Sequence, residues 1–390
     1  MALAGVAALA SGSLGGQASG GCARGNPCRG LRLPASITVA PDQARASAGF
    51  VIGRNGRVRR IAHPQSQSPF PQDAIWYPGT GTWFRLRHGH LIVGRGSKAL
   101  WRSHGEIASR WQLGVVTVGP HTVAFQHAHK LYLAPLRGPE RPVARAELPL
   151  GWTGGALYTY GYRGRKLLLR SDAGTLLRTI ARRPLGSDYF VANGNLYFIT
   201  HGRLMSARGR HIRQLASLAR LGVSADPWLQ SLGRLIELED NNRLVVLRPD
   251  GSELASTPLP RSQGETESLS SSLVASPQDS AVAFTAAAGE SNDPNAVRRA
   301  HGTETVFLLR AGARRAVPVH TERVNFKVCE GGAILQWHGR WLLYSNTTGN
   351  LAAIDSTRGH PAIELSSLAH SLLGPHAGFN AYWSREPFKP

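Results

Sequence analysis

Leu196-Tyr197-Phe198-Ile199-Thr200-His201-Gly202-Arg203-Leu204-Met205 sets two apolar runs on either side of a short polar break that contains glycine. Aromatic and β-branched residues favour an extended chain, and a His-Gly pair tolerates the positive φ of a tight reversal. The stretch therefore predicts two antiparallel strands. The same design recurs on both sides. Leu235-Ile236 is followed by Asp240-Asn241-Asn242 and Leu244-Val245-Val246-Leu247, and Trp341-Leu342-Leu343-Tyr344 by Thr347-Thr348-Gly349-Asn350 and Leu351-Ala352-Ala353-Ile354. Each pair leads to a third strand, often past another turn such as Asp172-Ala173-Gly174 or Pro249-Asp250-Gly251-Ser252. From about residue 30 to 385 the chain reads as a β-meander.

Second strands fall near Trp83, Val123, Leu157, Leu196, Leu235, Val282 and Leu342, with gaps of 40, 34, 39, 39, 47 and 60. A four-stranded propeller blade repeats at about 40 to 50 residues, so the period predicts an all-β fold: a single β-propeller of four-stranded antiparallel blades. The count is seven, within a range of six to eight. The polar segment Gly289 to Gly302 accounts for the longest gap, and the pair Phe50-Val51-Ile52 and Val58-Arg59-Arg60-Ile61 is either most of an eighth blade or the completion of the last sheet. Residues 1–30 read as a signal-like or flexible N-terminal segment, 31–375 as the propeller and 376–390 as a C-terminal tail. A β-sandwich of about 100 residues leaves most of the chain unexplained, and helical spacing is only local, around Leu215 to Leu221 and Leu365 to Leu373.

One copy, Ala275-Ser276-Pro277-Gln278-Asp279-Ser280-Ala281-Val282-Ala283-Phe284-Thr285, resembles the Ser-Pro-Asp-Gly-x-x-apolar-Ala-Phe signature of TolB-like and WD40-type propellers. Gln278-Asp279-Ser280 stands where that signature has Asp-Gly. Arg248-Pro249-Asp250-Gly251-Ser252 resembles a turn between later strands of such a blade. The resemblance covers about two blades, implies the fold and implies no ligand, because propellers serve as binding platforms and as enzymes alike.

Composition agrees with a large core and many turns: 42% hydrophobic, 18% charged, 44 Gly and 24 Pro in 390 residues. The formal net charge is +21, a balance that attracts polyanions such as acidic polysaccharide, anionic lipid or nucleic acid. Nucleic acid is disfavoured because the arginines are dispersed in pairs without the interleaved aromatic residues that stack on bases. Cys22 and Cys28 are close enough to close a small loop outside the cytosol, and Cys329 reads as a small buried hydrophobe. The N-terminus resembles the apolar and small-residue parts of an export signal but lacks a basic start, which points to an extracytoplasmic protein, or to a cytoplasmic one if the segment is not a signal. Ser19-Gly20-Gly21 precedes Cys22 as small residues precede a lipid anchor, yet the aliphatic residue usual three positions before the cysteine is missing. No later run is apolar for the about 18 to 20 residues of a membrane span.

Three constellations invite chemistry. His88-Gly-His90 and His127-Ala-His129 each place two imidazoles on one strand face if the strand is regular, a spacing that suits zinc or copper. The competing reading is polar residues at strand-turn junctions. Glu237 and Glu239 share a strand face beside Asp240 and are the candidate catalytic pair, although acids in so basic a chain more often neutralise arginine. Trp152 with Tyr158, Tyr160 and Tyr162 forms the candidate ligand-binding aromatic face, set against the commoner role of such residues in packing between sheets. Nucleophile-elbow, His-Glu-x-x-His, P-loop and EF-hand patterns are absent from the sequence, and no cofactor is expected. The sequence thus favours a non-catalytic module of the bacterial envelope or exterior that recognises a protein or an acidic polymer through channel-mouth loops. The alternatives are a propeller enzyme acting on a glycan through a metal or paired carboxylates, and a nucleic-acid-associated scaffold.

Overall fold

Two-residue reversals decide how tightly this chain can meander. Asn193-Gly194 and His201-Gly202 both hold positive φ, 51° and 74° in the first pair and 51° and 68° in the second. That is the backbone which joins right-twisted strands without splaying them. The computed structural model describes residues 31–41, 48–62, 75–77, 82–96, 98–107, 113–183, 189–240, 242–259, 273–288, 300–326, 333–346, 349–357, 362–374 and 379–384. The signal-like segment, Cys22 and Cys28 with their pairing and lipid-anchor readings, Cys329, and residues 289–299 of the expected insertion lie outside these.

The strands form eight four-stranded antiparallel sheets. Blade 1 takes β1 (Ile37–Pro41), β2 (Gly49–Ile52) and β3 (Val58–Ile61) from the N-terminal end. Blade 2 is β4 (Ile75–Tyr77), β5 (Thr82–Arg87), β6 (His90–Arg95) and β7 (Lys98–Arg102), and blade 3 is β8 (Leu113–Val118), β9 (Thr122–His127), β10 (Lys130–Pro135) and β11 (Arg141–Arg145). Blade 4 is β12 (Glu147–Thr153), β13 (Ala156–Gly161), β14 (Lys166–Ser171) and β15 (Leu176–Arg182), and blade 5 is β16 (Tyr189–Ala192), β17 (Asn195–Thr200), β18 (Arg203–Arg208) and β19 (His211–Ser217), followed by the short helix α1 (Leu218–Leu221). Blade 6 is β20 (Trp228–Leu232), β21 (Leu235–Glu239), β22 (Arg243–Leu247) and β23 (Glu253–Pro258), and blade 7 is β24 (Val274–Ala275), β25 (Ala281–Ala288), β26 (Ala300–Arg310) and β27 (Val317–Phe326). Blade 8 is β28 (Ile334–His338), β29 (Trp341–Ser345), β30 (Leu351–Asp355) and β31 (Ile363–Glu364). The helix α2 (Ser366–Leu373) then leads to β32 (Phe379–Trp383).

All seven anchors read from the sequence lie on second strands. Blade 1, beyond those seven, is the one whose strands are not consecutive. β32 pairs with β1 from Ile37↔Trp383 to Pro41↔Phe379, so the C-terminal strand supplies the first position of blade 1 and closes the ring. This moves two expectations. The blade count stands at the upper end of its range, and Phe379–Trp383 belongs to the propeller rather than to a tail beginning at 376. The pair Phe50-Val51-Ile52 and Val58-Arg59-Arg60-Ile61, one of whose two readings is most of an eighth blade, forms β2 and β3 of this sheet. Its completing strand is not visible locally, because the partner of β32 lies more than 330 residues away.

First strands of neighbouring blades touch one another, which places them around the central channel and the fourth strands at the outer rim. Second and third strands carry the burial, and their apolar side chains gather in clusters that each join two adjacent blades. Phe84, Leu91 and Val93 of blade 2 meet Val116, Val123 and Phe125 of blade 3, and Ile236, Leu238 and Val245 of blade 6 meet Tyr197, Ile199 and Leu204 of blade 5. The core is therefore a ring of interblade layers, as a stack of two-faced sheets requires. No helix of the described residues is long and apolar enough to cross a membrane.

Candidate functional site

The histidine pairs do not sit as a regular strand would hold them. Arg87 pairs with His90, which leaves His88 and Gly89 as the two turn residues between β5 and β6, at φ 48° and 73°. His127 pairs with Lys130 in the same way, and Ala128-His129 form the turn between β9 and β10. Each pair is one strand residue and one turn residue, so the shared strand face is lost. Asn-Gly-like reversal geometry overrides the alternation that the i, i+2 spacing suggested. His90 Nδ1 lies 3.0 Å from the Ser103 carbonyl, and His127 lies against Tyr132 with its pKa lowered by burial. Among the described residues none of the four belongs to a group of three metal-ligating side chains.

The aromatic face also resolves differently. Tyr158 and Tyr160 do share one face of β13, but that face meets blade 5, and Tyr162 lies in the turn that follows the strand. Tyr158 is fully buried, its hydroxyl donating to the Ala207 carbonyl and accepting from Gly209 N–H, both at 2.8 Å. Tyr160 stacks on Tyr189 at 5.0 Å, and Trp152 packs so closely on Gly119 that a Cβ there would come within 2.5 Å of its ring. Only Tyr162 stays exposed, so these rings pack blades together rather than present a continuous binding face.

Glu237 and Glu239 are brought together. Gln230 on β20 faces Glu237 on β21 and donates Nε2 to Oε1 at 2.9 Å. Burial, then the neighbouring carboxyl, raises Glu237 to about 7, and burial with Asp240 raises Glu239 to about 7. Such a pair holds a proton near neutral pH. Glycoside hydrolysis, however, needs two carboxyl groups about 5 to 9.5 Å apart across an accessible bond. Here the charge of Glu239 bears directly on Glu237, and Glu237 is 1% exposed.

What the linear sequence scatters, the ring collects. The outer strands of blades 1 to 5 carry Arg59 and Arg60, Lys98 and Arg102, Arg141 and Arg145, Arg178 and Arg182, and Arg213, all exposed. Those five strands contain no Asp or Glu. Three of the arginines also brace the ring, each reaching the outer turn of the following blade: Arg141 to the Ala173 carbonyl, Arg178 to that of Arg210 and Arg213 to that of Pro249. Blades 6 to 8 break the pattern, with Glu253 on β23, Glu322 on β27 and Glu364 on β31. Dispersed arginine pairs thus become a one-sided basic arc. The signal was position within the repeat.

A second arrangement missed in the sequence lies in the seam between blades 7 and 8. His320 and Glu322 project from β27 and Glu364 from β31. His320 Nε2 is 3.3 Å from Glu322 Oε1, and Nδ1 is 3.4 Å from Glu364 Oε1. Behind the imidazole, Tyr344 lies edge-on at 5.5 Å and donates its hydroxyl to buried Glu304 at 2.6 Å, while Asn346 Nδ2 donates to the same carboxylate oxygen. His320 and Glu364 are separated by 44 positions, so no local motif announces them.

Fold and surface together define an eight-bladed β-propeller. No protein-family model matches the chain, and no curated protein matches it by sequence. Solved structures do resemble it. Apo AztD from Citrobacter koseri is 10% identical, with 89% of this chain and 96% of that one covered at a TM-score of 0.50, a likeness that extends to the fold alone. Hsv2 from Kluyveromyces lactis is 10% identical over 72% of this chain and 91% of its own at 0.45, and BamB from Moraxella catarrhalis 15% identical over 81% and 95% at 0.39.

Proposed function

We propose that the chain is a non-catalytic binding module of the bacterial envelope or exterior that holds an acidic polysaccharide along the outer edges of blades 1 to 5. The observation that carries this reading is the basic arc, five successive outer strands with exposed Arg or Lys and no acid. Like charges in a row repel one another, and a flexible polyanion that follows the row relieves that repulsion. Planar guanidinium groups pair with carboxylate or sulfate through two parallel N–H donors, which suits a chain of acidic sugars. Large aromatic side chains are not exposed on these outer strands among the described residues, so the base-stacking platform of a single-strand nucleic-acid groove is missing. The reading moves the contact surface from the channel mouth to the rim.

Binding of the full chain to heparin, to neutral dextran and to duplex DNA, at low and high salt, tests the proposal. Heparin should bind most tightly, and Arg102→Glu/Arg145→Glu/Arg182→Glu on three adjacent blades should weaken it at least tenfold. A control with charge reversal at exposed Arg314 and Arg315 of blade 7 should change it less than threefold. Equal losses in the two variants would leave only overall charge, and tighter binding to DNA would replace the polysaccharide.

A further inference from the structure

We propose that His320, Glu322 and Glu364 bind a divalent metal ion of the zinc class in the seam between the outer edges of blades 7 and 8. One nitrogen and two carboxylate oxygens, drawn from strands of two different blades, lie within 4.8 Å of one another. Three such donors gathered in one seam, the imidazole facing Glu322 through Nε2 and Glu364 through Nδ1, supply the N/O ligand types of a zinc site that keeps its fourth position for water. Calcium and magnesium prefer oxygen donors alone, so the imidazole selects against them.

Two independent observations point to a cation rather than to an acidic patch. The His320 side chain is only 6% exposed, yet its Nε2 makes no hydrogen bond, since Glu322 Oε1 lies at ion-pair distance but off the line a hydrogen bond needs. A buried ring nitrogen left so is unfavourable unless something takes its lone pair or its proton. The second observation is charge. In a chain with 45 Lys and Arg, the ion pairs of Glu322 and Glu364 among the described residues are with His320 alone. Glu304, opposite Glu322 in the β26–β27 register, adds a third carboxyl that Tyr344 and Asn346 satisfy without neutralising.

The local chemistry follows. Burial and the adjacent Glu322 carboxyl push Glu364 up to about 7, while the His320 ring helps hold Glu322 below the usual range. A metal ion takes an imidazole and two carboxylates only in their deprotonated forms. Binding should release protons and weaken as pH falls. The edge-on Tyr344 ring, tied to Glu304, fixes the imidazole plane from behind in the way outer groups orient metal-ligating histidines.

The test is zinc titration of the chelator-treated full chain by calorimetry, with thermal unfolding alongside and without polysaccharide present. One saturable equivalent is expected, with a rise in Tm on saturation. Glu364→Gln, at a half-exposed rim position, should weaken binding at least tenfold, as should His320→Gln. A His88→Ala/His127→Ala variant should bind as the wild type does. Cobalt substitution should give the visible bands of N/O coordination without a thiolate charge-transfer band. If His320→Gln does not fold, Glu364→Gln decides alone. Absence of saturable uptake, undiminished uptake in folded Glu364→Gln, or a thiolate band would each overturn the site and leave His320, Glu322 and Glu364 as a packing contact of the seam alone.

Discussion

Glu237 is a carboxyl group in a protein interior with one amide and one other carboxyl for company, and that environment fixes how it responds to pH. Its value rises from 4.5 unfolded to about 7 folded, so between those limits the folded chain holds a proton that the unfolded chain releases. Stability from this group is fully present below about pH 4.5, declines as pH rises through about 7, and is flat beyond. Glu239 acts in the same direction. Glu237→Gln keeps an acceptor for Gln230 and removes the titration. The variant should be more stable than wild type by on the order of 2 kcal/mol at pH 8, with the gap closing by pH 4. Denaturant unfolding at the two pH values measures this, and a gap that persists at pH 4 would assign the effect to packing. Glu237 and Glu239 are also the candidates whose placement was legible, because period-two alternation on a regular strand needs no tertiary information. The same alternation fails at His88 and His129, where the chain turns before it repeats. At Tyr158 and Tyr160 the shared face is right and its partner is another blade, which lies 29 residues further on at Tyr189.

Among the strands, β32 has the heaviest duty for its length. Phe379, Ala381 and Trp383 are 0%, 1% and 8% exposed, and they pack with Leu343, Leu351 and Leu368 of blade 8 and its helix. Trp383 Nε1 further donates to the Gln336 carbonyl at 3.1 Å. The strand therefore holds blade 1 to blade 8 on one face while completing the blade 1 sheet along its edge. Phe379→Ala should cost about 3 to 5 kcal/mol, the usual penalty for emptying a buried ring site. The loss should appear as a lower Tm, with earlier hydrogen exchange in Ile37–Pro41, because opening begins where the ring is closed by non-covalent bonds. Exchange that accelerates equally in all eight blades would show that the closure is no weaker than the other seams. This element also marks the limit of repeat counting. Seven blades announce themselves through consecutive strands, but blade 1 is assembled from both ends of the described chain. Its strands β2 and β3 leave a local signal at Phe50-Val51-Ile52 and Val58-Arg59-Arg60-Ile61, and only pairing across 338 to 346 positions completes it.

The molecule as a whole is a ring with an uneven rim. A net charge of +21 placed evenly would raise the free energy of folding by mutual repulsion everywhere, and here the exposed cations of the outer strands are concentrated on five blades of eight. The basic arc is therefore where salt and polyanions should act. Mobile ions shorten the reach of each charge from about 30 Å at 0.01 M to about 8 Å at physiological ionic strength, so Tm at pH 7 should rise with added sodium chloride. A polyanion that binds the folded ring along the arc stabilises it by mass action, and at low salt it should raise Tm further. Arg102→Glu/Arg145→Glu/Arg182→Glu should separate the two effects. With less repulsion its Tm in dilute buffer should start above that of wild type and respond less to salt, and heparin should add little. Differential scanning fluorimetry across salt and heparin concentrations reads all three. A Tm indifferent to salt would mean that the arginines already compensate one another through their backbone contacts to the next blade, as Arg141, Arg178 and Arg213 do, and that the arc is a brace rather than a binding edge.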